Sequence, residues 1–175
     1  AKVSVGSSMT LDLTYNTDFA QVEADEQQIN LDRFSLFFPE KRAFFLENAG
    51  LFSVGSGGGY SGPDIEMFFS RRIGVGSGGI PVPIVGGGRL TGTFSGMKVG
   101  VLSMVTDKVK DLTDQNNYSV FRLKKELPNR THIGGMYTAL DHTGDSGYIN
   151  QSYSIDAQLG IGELNKIVAF AGLTD

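Results

Sequence analysis

The chain has no cysteine and no tryptophan. Without cysteine there is no disulfide framework and no thiolate metal site. Without tryptophan, a sugar-binding cleft loses one of the side chains that would line it. Positive charge is in short supply: 15 Lys and Arg face 19 Asp and Glu, for a net charge of −4. A nucleic-acid partner would ask for the opposite balance. Histidine occurs only at 132 and 142, a spacing that fits no metal site. No apolar run approaches the ~20 residues of a membrane helix. No Gly-x-Ser-x-Gly elbow is present for a serine nucleophile. The glycine-rich stretches VGSGGGYSGP (54–63) and GVGSGG (74–79) lack a Gly-Lys-Ser/Thr ending and open no helix. They read as loop and turn rather than phosphate cradles. No cofactor and no catalysis are expected.

What is present is alternation. At 175 residues the chain fits one domain, 1–175. Residues 2–16 place Val3, Val5, Met9, Leu11, Leu13 and Tyr15 on one parity. Lys2, Ser4, Thr10, Asp12, Thr14 and Asn16 occupy the other. Read as one strand at ~3.3 Å per residue and tilted by ~45°, this stretch matches the ~25 Å apolar band of an outer-membrane barrel. A strand in a soluble sandwich is the other reading. Strand length favours the membrane, since soluble strands run to ~5–6 residues.

From Pro81 onward strands arrive at hairpin spacing. Val82, Ile84, Leu90 and Phe94 share one parity; Arg89, Thr91 and Thr93 share the other. Ser95-Gly96 turns the chain into 97–106, where Met97, Val99, Val101 and Val105 lie on one face. Strands follow at 118–127, 131–140, 148–162 and 165–173. The long alternation at 148–162 puts Ile149, Tyr153, Ile155, Ala157, Leu159 and Ile161 opposite Asn150, Ser152, Ser154, Asp156 and Gln158. The stretch DIEMFFSRRI (64–73) reads as a further short strand carrying Arg71 and Arg72. Short turns near Gly96 and Pro128 contrast with longer loops at 107–117 and 141–147, as in outer-membrane barrels.

Between the first strand and the meander lies residues 18–47, DFAQVEADEQQINLDRFSLFFPEKRAFFLE. Its acids Asp18, Glu23, Asp25, Glu26 and Asp32 precede five phenylalanines (Phe34, Phe37, Phe38, Phe44, Phe45) set among Glu40, Lys41, Arg42 and Glu47. It keeps neither strand nor helix period, and Pro39 would interrupt a helix. It is also too apolar to be a linker. Such a stretch needs a host that covers its rings and pairs its charges. The expected network joins its carboxylates to Arg33, Lys41, Arg42 and one of Arg71 or Arg72. The acids match no EF-hand spacing for calcium. Glu23 with Asp25 or Glu26 could form a glycosidase carboxylate pair, but no cleft accompanies them.

The segments MTLDLTYNTDFAQVEAD (9–25), VEADEQQINLDRFSLFFPEKRAFFLENAGLF (22–52), FFSRRIG (68–74) and PVPIVGGGRLTG (81–92) resemble a bacterial family of unknown function. The resemblance implies an upstream domain like the family-nine carbohydrate-binding modules and a C-terminal outer-membrane β-barrel region. This chain matches the front of that region. The expectation is therefore an all-β, antiparallel, up-and-down transmembrane barrel, partial in this chain, with a first strand (1–16), a charged and aromatic plug-like segment and glycine-rich loop (17–63), and a meander (64–175). The expected place is the bacterial outer membrane. The expected partners are the lipid bilayer, further strands or other outer-membrane subunits, and carbohydrate, with no nucleic acid. The expected role is glycan-related binding or transport. The alternatives are a soluble β-domain that binds a ligand or partner, and a glycan hydrolase.

Overall fold

The computed structural model describes residues 1–17, 40–54, 67–76, 80–110, 113–143 and 147–175. Its strands are β1 (Lys2–Val5), β2 (Met9–Thr17), β3 (Ile84–Phe94), β4 (Met97–Thr106), β5 (Asn116–Leu127), β6 (Thr131–His142), β7 (Ile149–Ile161) and β8 (Asn165–Thr174). They form one antiparallel sheet in the order β1 to β8, each strand beside its neighbour in sequence. The sheet is not closed; β1 and β8 are its two edges.

Three expectations are corrected. Residues 2–16 are a hairpin rather than one strand: the chain reverses at 6–8, with Gly6 at φ 67°, and Val5 faces Met9. The two arms keep a common parity, because Val3 pairs with Leu11 and Lys2 with Asp12. Residues 67–73 contain no strand. Ser70–Arg72 is a 3-10 turn, whose compact backbone brings the Ser70 and Ile73 carbonyls to one guanidinium, described below. Ile84 leaves the face of Leu90 and Phe94, since an irregularity between Ile84 and Gly86 shifts the register. A bulge of this kind turns the side chain to the other face, and Ile84 is fully buried.

The connections segregate by end. The turns joining β1 to β2, β3 to β4, β5 to β6 and β7 to β8 are tight and lie at one end of the sheet; the longer connections from β2 to β3, β4 to β5 and β6 to β7 leave from the strand ends at the other. Ser95 and Gly96 both have positive φ, the requirement of a type I′ hairpin turn.

The two faces differ in kind. One face is bare. Its register row Val3–Leu11–Leu90–Val101–Phe121–Tyr137–Tyr153–Leu173 crosses all eight strands without a charge. The next row, Val5–Met9–Gly92–Val99–Leu123–Gly135–Ile155–Ala171, is equally apolar. Ile155 is 64% and Leu173 76% exposed there. The opposite face carries Asp12, Arg89, Arg122, His132, Ser154 and Asp156, all buried.

That second face is covered in part by the long β2–β3 connection. Residues 43–46 form a single helical turn, α1 (Ala43–Leu46), and Ala49–Phe52 a 3-10 turn. Phe45, Phe52, Val54 and Ile73 pack with Ile84, Leu102, Met104, Val120 and Met136 in one core cluster. Full burial of such side chains stabilises by roughly 1.5–3 kcal/mol each. Gly100 makes room for it, because a Cβ there would stand 2.9 Å from Leu51 Cδ2 and 3.0 Å from Phe52 Cε1.

Candidate functional site

The covered face holds two buried arginines, and each organises its own group of residues. Arg89, on β3, is 2% exposed. One of its terminal nitrogens donates to Asp12 Oδ2 on β2 at 2.8 Å and to Glu47 Oε2 at 3.1 Å. The other donates to the backbone carbonyls of Phe44, within α1, and Glu47, just past its end. Its guanidinium also lies 5.0 Å from the centre of the Phe44 ring. Lys2 on β1 adds an ion pair to Glu47. Three adjacent strands thus hold the same point of the connection. Asn48 extends the contact through Nδ2 to Thr91 Oγ1 at 3.2 Å.

Arg122, on β5, is 1% exposed. It grips Asp156 of β7 with both terminal nitrogens, Nη1 to Oδ1 at 2.5 Å and Nη2 to Oδ2 at 2.9 Å. The strand between them makes the reach possible. Gly134 on β6 faces Asp156 in register, and a Cβ on it would fall 2.7 Å from Arg122 Nη1. His132 Nε2 stands 3.5 Å from Asp156 Oδ2, beyond a good hydrogen bond.

A third cluster sits off the sheet. Glu40 receives Arg42 Nε at 2.8 Å and Nη2 at 2.6 Å, Ser70 Oγ at 2.7 Å, and the backbone N–H groups of Lys41 and Arg42. Arg42 also donates to the carbonyls of Ile73 (2.7 Å) and Ser70 (2.8 Å). It covers the Phe45 ring at 4.2 Å. Burial opposes ionisation of Glu40, but the hydrogen bonds from Arg42 and Ser70 outweigh it and hold the carboxyl below its ordinary range. The ion pair with Lys2 lowers the Glu47 carboxyl as well, against a weaker opposing effect of desolvation.

Of the residues singled out in the sequence, Asp18, Glu23, Asp25, Glu26, Asp32 and Arg33 lie outside the described residues. Glu40 and Arg42 pair with each other. Lys41 is exposed next to them, and Glu47 joins Arg89 and Lys2. Arg71 and Arg72 lie in the 3-10 turn. The turn and Ile73 beside it meet Glu40 and Arg42 through the Ser70 hydroxyl and the Ser70 and Ile73 carbonyls. Asp12, Arg89, Arg122, His132 and Asp156 were missing from the expected network. Their signal was present: each is a charged or titratable residue on the polar parity of a strand. Pairing them needs the register, and register needs the turn lengths. Among the described residues no three His, Asp or Glu side chains converge to hold a metal ion. Also among them, no helix is long and apolar enough to cross a membrane.

A family model described as a domain of unknown function, DUF5916, matches residues 2–81. The match takes in Lys2, Asp12, Glu40, Arg42, Glu47 and Ser70. Arg89, Arg122 and Asp156 lie beyond it. No curated protein and no solved structure matches the chain.

Proposed function

We propose that this sheet is part of the wall of an outer-membrane β-barrel, with its bare face toward lipid and residues 40–54 and 67–76 on the lumenal side. The observation that carries the reading is the inversion of its two faces. Rows of uncharged, mostly apolar residues cross all eight strands, and Val3, Val5, Phe121, Tyr153, Ile155 and Leu173 among them stand exposed. Two arginines and an aspartate rank among the most deeply buried side chains. Water-soluble domains sort the other way, and an apolar surface of this extent marks a membrane or protein contact. In lipid the backbone of such a strand is satisfied by its neighbours, and charged residues belong on the lumenal side. The segregation of tight turns to one end and long connections to the other fits the same architecture.

Spin labels at Leu11 and Asp12 test the orientation in reconstituted membranes. Leu11 is expected to be reached by lipid-dissolved oxygen and Asp12 to be shielded from it. Equal access at both positions would sink the proposal. A soluble domain whose apolar face meets a partner protein is the competing reading, and it too would use the exposed rows. Flotation separates the two: a wall segment rises with vesicles after a carbonate wash, whereas a soluble domain stays behind.

A further inference from the structure

Three neighbouring register rows on the covered face of β5, β6 and β7 hold polar atoms that the fold leaves unmatched. In the middle row Lys124, Gly134, Asp156 and Phe170 stand side by side on four strands. The Arg122 guanidinium lies against Gly134 and takes both oxygens of Asp156. The row on one side pairs His132 with Gln158; the row on the other joins Arg122, Met136 and Ser154. His132, Arg122 and Ser154 are each more than nine-tenths buried. Yet His132 Nε2, Arg122 Nε and Ser154 Oγ make no hydrogen bond among the described residues. A buried polar group without a partner forfeits the water it has left, and native interiors hold few of them. Here three flank a single ion pair. With strands ~4.8 Å apart and ~3.3 Å per residue, the patch measures roughly 10 by 13 Å.

The chemistry of these atoms selects the ligand. Arg122 Nε is a donor only, and the Ser154 hydroxyl and His132 Nε2 are able to donate. Asp156 has both oxygens committed to Arg122, and Lys98 and Glu126 neutralise each other. Lys124 is left over. It joins no ion pair among the described residues, and it lies within electrostatic reach of His132 and Glu126. The patch therefore offers donors and one uncompensated positive charge, which repels a metal ion and attracts an anion. We propose that it binds a small solute carrying an oxyanion, a carboxylate or a phosphate, with Lys124 supplying the charge and the unmatched donors the hydrogen bonds. Lys124 and Phe170 bound the row on its two sides, and both are half-buried. The Phe170 ring rests over Gly172, where a Cβ would stand 3.0 Å from Phe170 Cζ. These two side chains swing aside to admit the ligand. The proposal rests on the membrane-wall reading only for the side of arrival, the lumen.

The test uses the full-length protein in detergent micelles, with histidine labelled by nitrogen-15. The His132 signal is identified by its loss in His132→Gln. Inorganic phosphate, glucuronate and glucose are titrated in turn at constant ionic strength. The expected result is a saturable shift of the His132 signal with phosphate, glucuronate or both, and none with glucose. Tighter binding of phosphate names the free ion as the ligand; tighter binding of glucuronate names an organic acid. Lys124→Met is expected to weaken binding by about tenfold or more, the worth of one hydrogen bond to a charged group. Lys125→Met removes the same charge from the bare face of the same strand and should leave the affinity unchanged. Absence of a saturable shift with either anion overturns the proposal. An equal response to glucose overturns the choice of an anion. Binding that is indifferent to Lys124→Met overturns the place. Flotation of the same protein keeps the two levels apart. A protein that floats without binding loses the site and keeps the wall, whereas one that binds without floating keeps the site and loses the wall.

Discussion

Arg89 and Arg122 are alike in type, burial and face, yet they do different work. Arg122 belongs to the wall alone. Its partner Asp156 is two strands away, and the glycine between them gives the guanidinium its place. Arg89 belongs half to the wall and half to the connection. It takes one carboxylate from β2, and from residues 44–47 it takes two backbone carbonyls and a second carboxylate. Both avoid the cost of an unpaired buried charge. The first does so in a way that fixes strand to strand. The second ties an inserted segment to the sheet. The comparison predicts that removing one charge damages the whole sheet, while removing the other frees a part.

Asp156→Ala is expected to have the largest effect. It strands a fully buried guanidinium, and breaking such a pair from one side costs about 3–5 kcal/mol. The unfolding midpoint should fall, and amide exchange should quicken together across β5, β6 and β7. If the change matched that of an exposed substitution, usually within about 0.5 kcal/mol, Arg122 would not depend on Asp156.

Arg89→Ala is expected next, with a different distribution. Asp12 loses its partner, at about 2–3 kcal/mol, below the fully buried case because Glu47 is half-exposed and has Lys2. Exchange should quicken first at Leu46, Glu47 and Leu51, whose amides bond within the connection, before any strand responds. Equal loosening of β6 and β7 would erase the distinction drawn between the two arginines.

This difference also explains what could be read from the sequence. The parity of Met9, Leu11 and Leu13 and of the 149–161 stretch survives in the structure, because alternation is local and needs no partner. The strand bounds came within a few residues for the same reason. The hairpin at 6–8 was missed because Gly-Ser-Ser continues an alternation without breaking it. An odd-length turn preserves parity, so the pattern alone cannot tell one strand from two. Arg122 with Asp156 and Arg89 with Asp12 were missed because each pair depends on register across strands. The 64–73 stretch reads as a strand because Phe68, Phe69 and Ile73 look β-prone, but its described part, 67–73, holds a 3-10 turn. Its backbone carbonyls instead serve Arg42, a role that no side-chain pattern announces.

Glu40→Gln probes the connection apart from the sheet. Glu40 accepts two bonds from the Arg42 guanidinium and one from Ser70. The substitution is expected to cost about 1.5–3 kcal/mol at neutral pH, the worth of hydrogen bonds to a charged group. Its pH dependence follows from the lowered carboxyl. The unfolded chain takes up the proton first, near the ordinary glutamate value of ~4.3. The stabilising contribution is therefore full above that value and is lost as pH falls through the lower folded value. The gap between parent and variant should be constant from pH 7 to about pH 5 and shrink in more acid solution. A gap that widened on acidification would reverse the assignment.

Glu47→Gln is the mildest test and the sharpest for the Arg89 side of the comparison. Glu47 is exposed, and its Lys2 partner is more so. Ion pairs of this kind contribute little because water screens them and the side chains lose freedom. Arg89 meanwhile keeps Asp12 and the Phe44 and Glu47 backbone carbonyls. The variant should therefore unfold close to the parent, with a difference that salt diminishes. It should also leave exchange at Leu46 and Leu51 slow, unlike Arg89→Ala. If Glu47→Gln instead loosened the connection as far as Arg89→Ala does, the side-chain carboxylate would be the true tie. The backbone carbonyls around α1, which Arg89 reaches without any help from residue identity, would then be incidental.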